Sequence, residues 1–122
     1  MRFRKLLLFL ALLPPPAYGQ ELFGAIAYSA TKQKHGWANN YSSRNAAEEA
    51  ALAFCRKSAG DCRRVLWFRN ACGALVTGPE GHGADWAKSQ TAAVNKALKA
   101  CATKSAGCAV TLSFCTGKSA GP

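Results

Sequence analysis

The chain has 122 residues, a formal net charge of +10 and six cysteines. Its length is that of one domain. The chain contains six acidic residues, too few to suggest a catalytic carboxylate pair. The excess of basic residues favours anionic partners.

The first residues have the features of a secretory signal peptide. Three basic residues precede an apolar run over 6–13, and small residues follow at the two positions that signal peptidase recognises. We therefore predict a signal peptide over 1–19, removed before Gln20, and export to the periplasm or the extracellular medium. The apolar run is about half of the roughly 20 residues that span a bilayer, so we expect no transmembrane anchor.

Loss of the signal peptide changes the charge of the protein. Three positive charges leave with it, and thirteen Lys or Arg remain against six Asp or Glu, a net charge of +7. This excess favours an anionic partner such as a cell-envelope polymer. The favoured interpretation is nevertheless a solvated surface that only keeps the protein in solution, because the basic residues are scattered along the chain.

The remaining chain, 20–122, is predicted to be a single secreted domain made of two repeats, 23–72 and 73–115. An offset of 46 residues superposes the helical stretch and the first two cysteines of each copy. The residues after 115 are expected to form a short flexible tail.

Each repeat is predicted to fold as strand, loop, helix, tight loop and strand. In the first copy a strand over 23–29 precedes a polar loop over 30–40, and a helix follows from about Ser43 or Asn45 to about Lys57. Asn45 and Glu48 have the spacing of a capping box at the start of this helix.

The second strand of each copy alternates apolar and polar residues, which is typical of a sheet covered on one face. The alternation is clearest at Val110, Leu112 and Phe114, and the corresponding residues of the first copy are Leu66 and Phe68.

The link between the copies, over 70–73, is too short for a crossover, so the second and third strands are expected to form a hairpin. The element order then predicts an α+β fold of duplicated β-α-β units. It has one four-stranded, mainly antiparallel sheet with two helices on one face, in a ferredoxin-like or related strand order. Disulfides are expected to stabilise it.

Six cysteines in a short exported chain predict three disulfides rather than a metal site. The pairings that treat both copies alike are Cys55–Cys62, Cys101–Cys108 and Cys72–Cys115. The first two would tie a helix end to the next strand, and the third would join the halves. A ferredoxin-like sheet would place that third pair on opposite edges, so the connectivity and the strand order both stay open.

Four motifs stand out: GAIAYS over 24–29, RNACGA over 69–74, W-A before each helix and A-x-x-x-A-L-x-x-C within each helix. With them the chain resembles a bacterial family of small secreted cysteine-rich domains, catalogued as a domain of unknown function. The resemblance covers about 22–115 and implies export and a duplicated α/β unit. It carries no established catalytic residue.

The two histidines, His35 and His82, fall in corresponding segments. Imidazole suits metal binding and acid–base catalysis, so both are weak candidates for either role. Structural zinc usually needs four ligands, and the cysteines are expected in disulfides, so we predict no metal and no cofactor. The favoured interpretation is a structural or merely exposed position.

Signals of an enzyme are weak in this sequence. It has no G-x-S-x-G motif and no glycine-rich phosphate loop before a helix. Serines near the helix starts are explained by N-capping. An envelope hydrolase remains a hypothesis, which requires a concave site that unites His35 or His82 with an acid and a nucleophile.

Three residues of the first copy's second strand are the candidate binding residues: Val65, Trp67 and Arg69. The second copy has small polar residues there, whereas Trp37 and Trp86 match across copies and are expected to cover helix starts. If the helices cover the opposite face, Trp67 and Arg69 lie on the open face, where such side chains are common interface anchors. The alternative is that Trp67 covers small residues of the first strand.

The leading hypothesis is a non-enzymatic exported module that binds a protein partner, as an envelope inhibitor, an immunity protein or a secreted effector does. Self-association is included in it, since the partner can be a second copy. A polyanion or envelope-polymer binder is the alternative, and steep loss of binding with salt would support it.

Overall fold

The computed structural model describes residues 21–117. The signal peptide predicted over 1–19 and most of the expected tail lie outside these residues. The described chain forms six strands and two helices: β1 (Phe23–Ser29), β2 (Lys34–Tyr41), α1 (Arg44–Arg56), β3 (Arg63–Arg69), β4 (Cys72–Thr77), β5 (His82–Ala87), α2 (Gln90–Ala102) and β6 (Ala109–Cys115).

The strands form two separate antiparallel sheets, one from each half of the chain. The first has the order β2-β1-β3 and the second the order β5-β4-β6. Each half therefore contributes the elements β-β-α-β. The prediction of one four-stranded sheet with two helices on a single face, ferredoxin-like or related, is wrong.

The layers follow from the alternation of side chains along the central strands. Ala25 and Ala27 of β1 face α1, and Ile26 and Tyr28 face the other sheet. In β4, Leu75 joins Ile26 and Tyr28 in the cluster between the sheets, while its neighbours pack against α2. The result is a helix–sheet–sheet–helix sandwich in which each sheet is covered on both faces.

The error in the predicted fold comes from two missed strands, β2 and β5. Both segments were assigned to the loop before a helix, but each contains a glycine at which the helix touches the sheet. A Cβ at Gly36 would lie 2.2 Å from the Ala51 carbonyl oxygen, and one at Gly83 would lie 2.4 Å from that of Ala97. Only glycine lets a helix backbone lie this close to a strand.

The link between the halves carries the chain from one sheet to the other, so the predicted hairpin of the second and third strands is wrong. Asn70 adopts a left-handed conformation with φ of 46°. Its N–H donates to the Leu22 carbonyl and its Oδ1 accepts from the Leu22 N–H, both at 3.0 Å. These bonds hold the turn against the start of β1.

The alternation predicted for β6 holds in part. Leu112 and Phe114 lie opposite Leu75 and Gly73 and face the first sheet. Between Leu112 and Val110 the pairing with β4 shifts by one residue. Val110 is consequently 48% exposed, so it does not continue the apolar face.

Each helix begins directly after a serine that the sequence analysis had explained by N-capping. Ser43 and Ser89 are the N-caps, and each side chain accepts a hydrogen bond from the N–H three residues later. The predicted capping box of Asn45 and Glu48 is wrong, because Glu48 instead pairs with Arg44 at 3.2 Å.

The six cysteines form three disulfides, Cys55–Cys62, Cys101–Cys108 and Cys72–Cys115. The first two tie a helix end to the segment before the next strand. Cys72, which the predicted repeat bounds placed in the first half, is the first residue of β4, so the third disulfide joins β4 to β6 inside the second sheet and does not join the halves as expected. Because β4 and β6 are adjacent, the two Cα atoms lie 3.9 Å apart. The predicted ferredoxin-like sheet had placed these cysteines on opposite edges, and the actual strand order removes that conflict.

Within 21–117, neither helix has the length and apolar character needed to cross a membrane.

Candidate functional site

The three candidate binding residues line one groove together with two neighbours in β3 and one residue of β5. The groove has a volume of about 420 Å³ and is lined by Val65, Leu66, Trp67, Phe68, Arg69 and Trp86. We call it the β3 groove. It lies where β3, an outer strand of the first sheet, approaches β5, an outer strand of the second.

The groove follows the edge of β3 and not one of its faces. Successive side chains of a strand point to opposite faces, so a pocket on one face touches every second residue. Here five consecutive residues, 65–69, line the wall. Among the strands of 21–117, β3 pairs with β1 alone, so its outer backbone edge borders the groove.

The opposite side of the sandwich shows why this side is open. There Trp37 of β2 packs against Phe114 of β6 with ring centroids 5.2 Å apart. In the first sheet, Trp37 lies opposite Ile26 of the central strand β1. The residue of β4 that corresponds to Ile26 is Leu75, and the residue opposite it in β5 is Ala84. Because Ala84 is small, no ring closes the β3 side as Trp37 closes the other.

The expected positions of Trp67 and Arg69 on an open sheet face are wrong. Trp67 lies opposite Ala25, on the face that α1 covers. Its indole lies 4.4 Å below the Arg44 guanidinium at the start of α1 and 6.3 Å from the Phe23 ring, and it is 37% exposed. One side of the ring therefore packs on the protein, and Trp67 also lines the groove.

Val65 and Arg69 occupy different sides of the strand. Val65 lies at the register shift of β3 and packs against the cluster between the sheets, whereas Arg69 lies opposite Phe23 on the α1 side. The groove runs along the edge of β3, and side chains from both faces of a strand border its edge. The three candidates therefore line the same groove although they lie on different faces.

The charges around the groove are basic and exposed. Arg69 pairs with Glu21 at 3.4 Å and Arg64 pairs with Glu49 at 2.6 Å, in ion pairs that are about half exposed. Arg63, at the start of β3, forms no salt bridge with another residue of the described chain.

Trp86 is the groove residue that the sequence did not single out. It was matched with Trp37 as a packing residue, and this match is wrong: Trp37 directly follows Gly36, whereas Trp86 comes three residues after Gly83. Alignment on these two glycines, which occupy like positions against the helices, would have separated the tryptophans. Trp86 is 45% exposed.

Lys96 of α2 contacts both the backbone and the ring of Trp86. The Lys96 Nζ donates a hydrogen bond to the Trp86 carbonyl at 2.8 Å and lies 5.3 Å from the ring centroid. It also pairs with Asp85 at 3.5 Å. These contacts hold an exposed indole at the groove mouth.

The histidines lie elsewhere. His35 is in β2 opposite Tyr28, and the His82 ring in β5 lies 4.9 Å from the Tyr28 ring. His82 and Glu80 line a small pocket of about 140 Å³, and that pocket does not include His35. Burial lowers the pKa of His82, and repulsion from Lys104 lowers it further.

The lining of the His82 pocket bears on the hydrolase hypothesis, which asks for a histidine, an acid and a nucleophile in one concave site. Among the described residues, its lining includes no serine, threonine or cysteine. Residues 21–117 also contain no group of three or more His, Cys, Asp or Glu side chains placed to hold a metal ion.

The chain matches one family model over residues 23–115, described as Domain of unknown function (DUF4189), and it belongs to this family. The match runs from the first residue of β1 to the last residue of β6, so it includes both sheets. The resemblance to a domain of unknown function is thereby confirmed. No curated protein and no solved structure matches the chain.

Proposed function

We propose that this protein is a non-enzymatic module that binds a segment of a partner protein in the β3 groove. The observation that carries the proposal is the convergence of Val65, Trp67 and Arg69 with Trp86 around one cavity. Trp and Arg are the side chains most enriched at the energetic centres of protein interfaces.

The size and build of the groove support this function. Its volume of about 420 Å³ falls within the range of ordinary ligand pockets, roughly 300–1,000 Å³. Both indoles are held by a basic side chain and keep more than a third of their surface exposed. A partner therefore gains apolar contact area from rings that lose little freedom on binding.

The proposal includes export to the periplasm or the extracellular medium, where the protein would act as an envelope inhibitor, an immunity protein or a secreted effector does. Three disulfides support an oxidising compartment, since such bonds are rare in the reducing cytosol.

The test is a selection from a random peptide library displayed on phage, with the oxidised protein as bait. We expect selected peptides to shift the backbone amide NMR signals of 65–69. We expect the Trp86→Ala variant to weaken their binding about tenfold or more in calorimetry. Phe54→Ala is the matched control, because Phe54 is similarly exposed, at 47%, but lies on α1 outside the groove.

A library that yields no binder contradicts the proposal, as does a binder whose affinity Trp86→Ala leaves unchanged. Thermal melts of both variants show whether they are folded.

The net charge of +7 that remains without residues 1–19 supports a second candidate, a polyanion binder. Such a protein would bind polyphosphate with an affinity that falls steeply as salt rises, and Trp86→Ala would change that affinity little. Salt-insensitive or absent polyphosphate binding removes this candidate.

A further inference from the structure

We infer that the groove takes an acidic, extended peptide segment that pairs with β3 as a fourth strand of the first sheet. This inference rests on the proposed function and adds the geometry and charge of the partner. It follows from the free edge of β3, from the arginines of that strand, and from the poor fit of a second copy of the chain.

The edge of β3 is where a further strand can add. Five consecutive residues of β3 line the groove, so a ligand in it lies beside the strand's backbone and not above its side chains. Within the described chain no strand pairs with this edge. An extended peptide there gains main-chain hydrogen bonds to β3 and places alternate side chains against Trp67 and Trp86.

The arginines select the charge of the segment. Arg63 and Arg64 begin β3 and Arg69 ends it. Exposed ion pairs such as Arg64–Glu49 and Arg69–Glu21 contribute little to stability, so an incoming carboxylate can replace the present partner at small cost. Acidic residues near both ends of the segment therefore fit this edge, with apolar residues between them.

The same arginines disfavour a second copy of the chain as the occupant. Antiparallel pairing of two β3 strands about Leu66 would place Arg63 of each copy opposite Arg69 of the other. Parallel pairing in register would place every arginine opposite itself. Like charges directly opposite each other destabilise a strand pair.

Arginines and a bulge also occur on edge strands as protection against aggregation. β3 has both, since its register shifts at Val65. Protection alone does not explain an open groove beside the strand with exposed indoles on both sides. The two explanations differ in one measurable respect, the binding of a matched strand.

The probe is a synthetic seven-residue peptide, acetylated and amidated, with Glu at both ends and alternating Val and Thr between them. We expect calorimetric binding and slower amide hydrogen exchange along β3. A peptide with Lys at both ends should bind about tenfold more weakly or not at all. N-methylation of alternate residues on the side that faces β3 should weaken binding by a similar factor, and methylation of the other set should not.

The charge-reversed double variant Arg63→Glu, Arg69→Glu provides the matched control on the protein. It should bind the Lys-ended peptide in preference to the Glu-ended one, because the charge at both ends of β3 is reversed while the backbone of the strand is unchanged. Its melting curve checks that it folds.

Each further outcome is decisive. Failure of the Glu-ended peptide to bind at millimolar concentration overturns the inference. Library-selected peptides that bind the groove without regard to charge or N-methylation overturn it and leave the proposed function standing. Polyphosphate that binds the same residues more tightly than the peptide, or a dimer with protected β3 amides in ultracentrifugation and exchange, also overturns it.

Discussion

At the scale of single residues, one pair of positions decides where this molecule is open. Trp37 closes one side of the sandwich against Phe114, and Ala84 occupies the like position on the other side. An indole and a methyl group differ by a volume large enough to leave a groove at the second position. The two halves thus share a pattern of elements but differ where a partner would bind.

His82 is the residue for which we predict a pH effect. Its pKa is lowered in the folded state, by burial first and by Lys104 second, so the unfolded chain binds the proton more readily. The contribution of His82 to stability is complete above its unfolded pKa of about 6.5 and is lost as the pH falls through the lowered folded value.

We therefore expect the melting temperature to fall between about pH 7.5 and about pH 5, and to fall less in the His82→Gln variant. Lys104→Gln should reduce the effect without removing it, since burial is the larger cause. An unchanged pH dependence in His82→Gln would contradict this account.

At the scale of elements, the sandwich depends on the close approach of each helix to an outer strand. Alanines on α1 and β1 make a thin contact layer, and glycine in β2 lets the helix backbone come nearer still. Burial of small residues contributes little area for each residue, so such a layer needs tight contact to be stable.

Gly36→Ala tests this contact. Its Cβ would meet backbone atoms of α1, 2.2 Å from the Ala51 oxygen and 2.4 Å from the Cys55 nitrogen, and neither can move without shifting the helix. We expect the free energy of unfolding to fall by about 2 kcal/mol or more in urea denaturation.

Gly60→Ala is the control, because a Cβ there would have no neighbour within 4 Å. It should leave the stability unchanged or raise it by up to about 1 kcal/mol. Equal effects of the two substitutions would show that the helix–strand contact is not what requires Gly36.

At the scale of the whole molecule, the two halves are joined through the cluster between the sheets. The fully buried members include Ile26 and Leu75, one from the central strand of each sheet. Each disulfide lies within one half, so the described halves are held together by packing and by hydrogen bonds such as that from the Asn40 N–H to Thr116 Oγ1 at 3.0 Å.

We expect Leu75→Ala to lower the stability of both halves together, by roughly 2–5 kcal/mol. Fluorescence and far-ultraviolet circular dichroism should report one shared unfolding transition. Val110→Ala, in the same half but 48% exposed, should change stability by about 0.5 kcal/mol or less. Two separate transitions in the Leu75→Ala protein would show that the halves fold independently.

Local features of this protein were predictable from the sequence. The strand over 23–29 is confirmed, and of the two predicted helix starts, Ser43 and Asn45, the structure has Ser43 as the N-cap, because a period-two pattern and a serine cap act within a few residues. The asymmetry between the copies singled out the three candidate residues, whose binding role stays a prediction, and the face predicted for Trp67 and Arg69 was wrong.

From the sequence alone we expect export, and the sequence determined the number of disulfides, the first strand and the approximate helix starts, since composition, cysteine number and capping are local properties. Only the tertiary structure decided that the strands divide into two sheets, that Gly36 and Gly83 are contact points and not loop residues, and that the edge of β3 stays open. These depend on which atoms from distant parts of the chain meet, and no pattern within one segment specifies that.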